Sequence, residues 1–390
     1  MENPSEVSSP CCFWKAWASC SGNSIKESAV MCVRVKLAIL HSDPTYLNRL
    51  TAALEAKYHN RLLLYSFTSL EKALEALGTE KIDVFLADDV FEIDMGALPE
   101  KCGFAYLVDS PELDTLRGRP AVCQFQRTEL LYKNVLNIFS EALGDASVRN
   151  LYSDHGKVII FSSPCGGSGT STLAAACTAH FALTGKQSLY LNLEDFGGAD
   201  TYFSGEGVAD MSDVVYAVKR RRGSLPIKLE SYARRDSSNA CYFSTAKMAL
   251  DMLELTAADR QELVSVLAES EGYDYVIVDM PFDLRKESRE LFQKAHVIVW
   301  VSDGTAAANQ KTARAYEALR VLEQGGAAPL TDRVCLLWNK IPAGMESELP
   351  TLGMPVVGAV AKIRHQMNES IASLLAASPA ASAFDAILGT

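Results

Sequence analysis

From residue 36 onward, short apolar runs alternate with longer amphipathic stretches. Between residues 36 and 143 the apolar runs are "KLAIL", "RLLLYSF", "IDVFLAD", "FAYLV" and "AVCQF". Helical periodicity lies between some of them, in "PTYLNRLTAALEAKY" and "SLEKALEAL", and a longer helix follows in "TELLYKNVLNIFSEAL". Strands alternating with helices predict a parallel sheet with helices on both faces. Five strands in a segment of this length suit a flavodoxin-like fold.

The pattern restarts at Lys157. "KVIIFSS" reads as a strand, and "TSTLAAACTAHFALTG" reads as a helix that stops at Gly185. Further apolar runs are "SLYLNL", "ACYFST", "YDYVIVDM", "HVIVWVS", "VCLLWNK" and "PVVGAV". They predict a second, larger parallel-sheet domain. "ESIASLLAA" reads as a final packing helix. The expected organisation is a mobile tail at 1–33, a flavodoxin-like domain at 34–145, a polar linker at 146–156 and the larger α/β domain at 157–390. Met31, just before the first strand, is an alternative start.

Composition narrows the function classes. The chain has 390 residues, a net charge of −11 and a pI near 5.2. An acidic chain lacks the basic face that a general nucleic-acid coat needs. No apolar run reaches the length of a membrane span. The 10 cysteines form no C-x-x-C pair. They are expected to be free thiols in a reducing cytoplasm, a metal or redox role for Cys11, Cys12 and Cys20 being the alternative.

The candidate chemistry centres on "SSPCGGSGTST", residues 162–172. Gly166, Gly167 and Gly169 allow consecutive backbone N–H groups to converge on phosphate oxygens, and the following helix offers its positive end. Ser171 is placed to ligate Mg²⁺ through its hydroxyl, and Thr172 to reach an α-phosphate. The alternative is a tight strand-to-helix connection. Three later stretches favour the nucleotide. Asp279 ends "YDYVIVDM" and would hold Mg²⁺ through water, a strand-end acid with local bonds being its other reading. "YLNLEDFGGAD" carries Glu194. Asn339 in "LLWNKIP" would face a purine edge with its amide. The basic run Lys219 to Arg222 reads as a favourable helix C-terminus, and alternatively as a patch reaching a partner or phosphates.

These motifs, in this order, resemble the MinD/ParA family of deviant-Walker ATPases, a branch of the SIMIBI P-loop NTPases. The family loop K-G-G-x-G-K-[ST]-[ST] corresponds to Cys165, Gly166, Gly167, Ser168, Gly169, Thr170, Ser171 and Thr172. Cys165 takes the signature-lysine position and Thr170 the phosphate-lysine position. The family's I-D-x-D corresponds to Leu191-Asn192-Leu193-Glu194. The first domain resembles a response-regulator receiver, with Asp88 at the phospho-acceptor position, Asp43 matching one acid of the acidic pair, and Gln124 where the lysine would be. The whole is similar to the TadZ/CpaE group of tight-adherence pilus and secretion systems. "EDFGG" mimics a kinase D-F-G, but no catalytic-loop H-R-D accompanies it.

The resemblance implies ATP and Mg²⁺ as cofactors and a homodimer that recruits pilus or secretion proteins. It implies no nucleic acid, no direct membrane insertion, and a cytoplasmic location with recruitment to a polar membrane complex. Glu194 would orient water. Losing each lysine removes a charge-assisted bond of about 1.5–3 kcal/mol, and losing a preorganised transition-state donor typically lowers rate by about 10²–10³. Weak or absent hydrolysis is expected, and the receiver-like domain is expected to serve contacts rather than phosphotransfer. The alternative is an active MinD/ParA-type positioning ATPase. A DNA-binding ParA would need a basic face, and a membrane-binding MinD a basic C-terminal amphipathic helix. No Lys or Arg follows Arg364.

Overall fold

The computed structural model describes residues 34–99, 101–143, 156–220, 224–270, 272–342, 349–363 and 370–389. The tail expected at 1–33, nearly all of the expected linker, and Arg221 and Arg222 of the basic run lie outside the described residues.

The first lobe is built on β1 (Val35–Leu40), β2 (Leu62–Phe67), β3 (Val84–Asp88), β4 (Gly103–Val108) and β6 (Arg119–Cys123), which pair in parallel in the order β2-β1-β3-β4-β6. A short strand β5 (Thr115–Leu116) folds back antiparallel on β6 at the edge. This is the flavodoxin-like order. Helix α1 (Pro44–Tyr58) starts where Asp43 caps it, the Asp43 carboxylate accepting from the Thr45 amide at 2.7 Å. With α3 (Thr128–Leu143) it covers one sheet face, burying Leu47, Leu54, Leu131, Val135 and Phe139 against Leu37 and Ile39. Helix α2 (Leu70–Thr79) covers the other, where Ala73 and Leu77 meet Leu40 and Phe85. A sheet buried on both faces needs near-continuous apolar strands, which is why β1, β3 and β4 lack polar alternation. β3 and β4 are joined by a loop with a 3-10 turn at Met95–Ala97, and β4 and β6 by the β5 hairpin.

The second lobe has a parallel sheet in the order β14-β13-β12-β7-β11-β8-β10, with β9 (Arg234–Arg235) antiparallel at the edge. Its strands are β7 (Lys157–Ser162), β8 (Ser188–Asn192), β10 (Cys241–Tyr242), β11 (Tyr275–Asp279), β12 (Val297–Ser302), β13 (Val334–Ile341) and β14 (Val356–Ala361). "ACYFST" shrinks to the two-residue β10. Helix α4 (Thr170–Leu183) is buried at every residue from Leu173 to Ala182, enclosed by the sheet and by α11 (Ile371–Ala376). A helix apolar all round belongs inside a protein, and here it fixes the loop before it. Among the other helices, α5 (Met211–Arg220), α6 (Leu225–Tyr232) and α8 (Ala257–Glu269) pack on the opposite face.

The basic run bonds within its own chain where it is described. Lys219 pairs with Asp259 at 2.8 Å, and the Arg220 guanidinium lies over the Tyr216 ring. Arg234 donates to the Ala209 carbonyl. The lobes meet where α3 packs on α6, with the Tyr132 hydroxyl donating to Glu230 at 3.3 Å and Arg127 paired with Glu206 at 2.9 Å. A cavity of about 860 Å³ lies at this junction.

Candidate functional site

β7 sits between β12 and β11, so the chain winds away from it in both directions. Ligands of open α/β sheets bind at the carboxyl ends of strands at such a switch point. The loop after β7, the end of β11 and the end of β13 converge there.

Small side chains shape the loop. Ser163 Oγ donates to the Val301 carbonyl at 2.6 Å and accepts from the Cys165 amide at 3.1 Å, bending the chain at once. Gly167 and Gly169 adopt φ of 78° and 88°, the left-handed region that favours glycine. Gly169 is also an approach point, since a Cβ there would lie 2.4 Å from Asn339 Nδ2. A Cβ on Gly166 or Gly167 would meet nothing within 4 Å. The loop is thus packed on the β13 side and open above Gly166 and Gly167. α4 begins at Thr170 with no side-chain cap, leaving its first amides available to an anion. Thr170 Oγ1 and Ser168 Oγ share a hydrogen bond of 2.9 Å, and the Cys165 side chain is partly exposed beside the open face.

Asp279, fully buried, closes β11 in register with Asn192 of β8 and Phe161 of β7. Its Oδ2 accepts from the Tyr190 hydroxyl at 2.8 Å and from Asn192 Nδ2 at 3.2 Å. Its Oδ1 has no hydrogen-bond partner. Burial first, and then Glu194, push the carboxyl up to about 7, while the Tyr190 and Ser171 hydroxyls hold it back. An orphaned buried oxygen is costly unless something arrives to bond it. A hard divalent cation, or its water, fits that atom. Among the described residues no group of three or more His, Cys, Asp or Glu side chains could hold a metal alone. A Mg²⁺ here would draw most of its oxygens from phosphate and water, its ordinary preference.

Asn192 neutralises rather than adds charge. It donates to Asp279 and its Oδ1 accepts the Glu194 amide at 2.8 Å, so it positions both acids. Glu194 is half-buried, and burial raises its pKa. Beyond it lies a hollow of about 160 Å³ lined by Glu194, Phe196, Met211 and Phe243. Tyr202 was not legible as a site residue. Burial raises its phenol, and the Thr172 and Ser171 hydroxyls pull it back down, which puts the ring beside the start of α4.

Asn339 reaches the loop, but its amide is already engaged. Nδ2 donates to the Ser168 carbonyl at 2.8 Å and Oδ1 accepts from the Lys340 amide at 2.9 Å. The side chain clamps the loop, and a purine would meet only what that clamp leaves over.

The receiver-like site is closed. Asp88 accepts from the Ser42 amide at 3.0 Å and from the Ser42 hydroxyl, and His41 Nε2 lies 3.7 Å away. Burial raises the carboxyl, but Ser42 and His41 outweigh it and the net pKa is below the ordinary value. Gln124 bonds both His41 and Asp109, and Asp43 is spent capping α1.

The first lobe has a receiver-like, flavodoxin-type fold, and the second is a mostly parallel α/β lobe with a glycine-rich loop at its switch point. Residues 33–140 match the family described as TadZ-like, receiver domain. Among solved structures, the chain is similar to a ParA family ATPase from Chlorobium tepidum TLS, at 20% identity over 61% of this chain and 98% of that one, with a TM-score of 0.48. It is similar to MinD in the MinC:MinD cell division complex of Aquifex aeolicus, at 16% identity over 60% and 95%, TM-score 0.45. It is also similar to the septum site-determining protein MinD of Pyrococcus horikoshii OT3, solved with Mg-ADP, at 15% identity over 60% and 94%, TM-score 0.43. No curated protein sequence matches the chain.

Proposed function

We propose that this protein is an ATP- and Mg²⁺-binding, dimerising assembly and localisation factor for a tight-adherence pilus or related secretion system, with slow or absent hydrolysis. The nucleotide reading is carried by one arrangement: an open glycine cradle at the start of a buried helix, beside a buried carboxylate oxygen without a partner. The match of residues 33–140 to the TadZ-like receiver domain supports the pilus context.

In this reading residues 34–145 form the contact domain and 157–390 the nucleotide domain, joined by 146–156. Backbone amides from Cys165 to Thr172 bind phosphate. Ser171 and Asp279 hold Mg²⁺, which supplies charge neutralisation at the phosphates. Glu194 orients water, and Asn192 keeps Glu194 and Asp279 in place. Neither Cys165 nor Thr170 brings an ammonium, so transition-state charge is poorly met and turnover suffers more than binding. The protein works in the cytoplasm and docks to its membrane complex through proteins. No helix among the described residues is long and apolar enough to cross a membrane.

Calorimetry with Mg-ATP, sedimentation with and without it, and a turnover assay test the proposal together. Expected are heat on binding, a nucleotide-linked dimer, and turnover well below the typical enzyme range of about 1 s⁻¹ and upward. No heat at millimolar nucleotide would sink the nucleotide reading, and turnover near ~1 s⁻¹ would make the protein an active positioning ATPase instead.

A further inference from the structure

The loop has no lysine in its own sequence, yet a lysine lies on it. Lys340 Nζ donates to the Gly167 carbonyl at 2.7 Å. The side chain is exposed and makes no ion pair with any described acidic residue. Its backbone is unusual, with φ of 58°. A non-glycine residue there is strained. The β13–β14 register also shifts between Trp338 and Ile341, so Asn339 and Lys340 bulge out of the ladder. Such bulges re-aim side chains, often beside active sites. Here adjacent residues grip adjacent carbonyls, Asn339 that of Ser168 and Lys340 that of Gly167.

We propose that Lys340 presents its ammonium to the polyphosphate of the bound nucleotide, standing in for one of the two loop lysines that Cys165 and Thr170 replace and leaving the other unreplaced. The inference rests on reading the loop as a nucleotide site. An ammonium has three donors, and the Gly167 carbonyl takes one. The others lie beside the open part of the cradle, where nothing crowds Gly166 or Gly167. Its charge reaches an anion there at short range, and because the side chain is exposed that attraction weakens as salt rises.

Calorimetry decides it with Mg-ATP and, separately, Mg-pyrophosphate, at low and high salt, on the wild type and on Lys340→Met, Lys340→Gly and Lys340→Arg. Lys340→Met and Lys340→Gly should weaken both ligands by about tenfold or more and flatten the salt dependence, as loss of one charge-assisted bond requires. Lys340→Arg should keep most of the affinity. Lys340→Gly relieves the left-handed strain, so its thermal midpoint should not fall, which separates lost binding from lost folding. Unchanged affinity in Lys340→Met would overturn the proposal. So would a loss for Mg-ATP with none for Mg-pyrophosphate, since the contact would then be with the nucleoside. Absence of binding by the wild type would instead overturn the nucleotide reading itself.

Discussion

Two aspartates end parallel strands in this protein, Asp88 in the first lobe and Asp279 in the second, and their surroundings are opposite. Asp88 has a backbone amide and a hydroxyl from Ser42 and a histidine at hand, and its pKa is lowered despite burial. Asp279 has one oxygen bonded and one orphaned, with Glu194 adding to burial, and its pKa rises to about 7. The same residue at the same kind of position is complete in one lobe and waiting in the other. The strand-end location therefore marks no function by itself. Satisfaction of the carboxylate distinguishes an acid whose bonds are complete from one with an oxygen left over for a further partner.

The comparison breaks most visibly at Asp279. Asp279→Asn should lower the Mg²⁺-dependent part of ATP affinity by about 10²-fold, the upper range for groups that support a metal site. Calorimetry with and without EDTA measures it. The unliganded variant should be no less stable than the wild type at pH 8, because it loses a buried charge that two neutral donors bond but no described cation pairs with. A normal Mg²⁺ effect in Asp279→Asn would place the metal elsewhere.

The pH profile sharpens the contrast by a smaller margin. With a pKa of about 7, Asp279 is roughly one-tenth ionised at pH 6 and nine-tenths at pH 8, so Mg-ATP affinity should rise about ninefold between them. The sign for folding is the reverse. A carboxyl whose pKa is raised by folding favours the protonated native state, so the unliganded protein loses stability as pH climbs from the ordinary carboxylate range through about 7. Asp88, with its lowered pKa, stabilises above the ordinary range, and that contribution is lost as pH falls through its folded value.

The smallest effect is expected at Asp88. Asp88→Asn should cost about 1.5–3 kcal/mol of stability, the worth of hydrogen bonds to a charged group, and leave ATP affinity unchanged. Chemical denaturation and calorimetry read the two arms. Incubating the wild type with acetyl phosphate and Mg²⁺ should add no phosphoryl mass, and a stable adduct at Asp88 would show that the closed site opens.

Much of the fold could be read from the chain, because strand and helix periodicities are local. "KVIIFSS", "YDYVIVDM" and "HVIVWVS" appear as β7, β11 and β12, and Pro44–Tyr58 forms the helix its pattern foretold. The weak places were edges. "AVCQF" begins earlier than expected, at Arg119, because the β5 hairpin extends it, and Gln124 leaves the strand to bond His41. The candidate site was legible as a set of residues and less so as a set of roles. Asn192 looked like a lost charge and is a donor to Asp279. Asn339 looked free to meet a base and is tied to Ser168. The basic run reads first as a helix C-terminus, and Lys219 does lie in the last turn of α5 while pairing with Asp259.

The order of amino acids alone determined the alternation of strands and helices, the glycines that let the loop turn, and the acids at strand ends. Each of these depends on a residue and its near neighbours, through backbone freedom and periodicity. Tertiary structure alone decided which carboxylate is satisfied, which keeps a raised pKa, and which lysine lies on the loop. Tyr190 and Asp279 are 89 residues apart, and Lys340 and Gly167 are 173 apart. Desolvation and hydrogen-bond satisfaction depend on what folding brings into contact, and no local pattern records that.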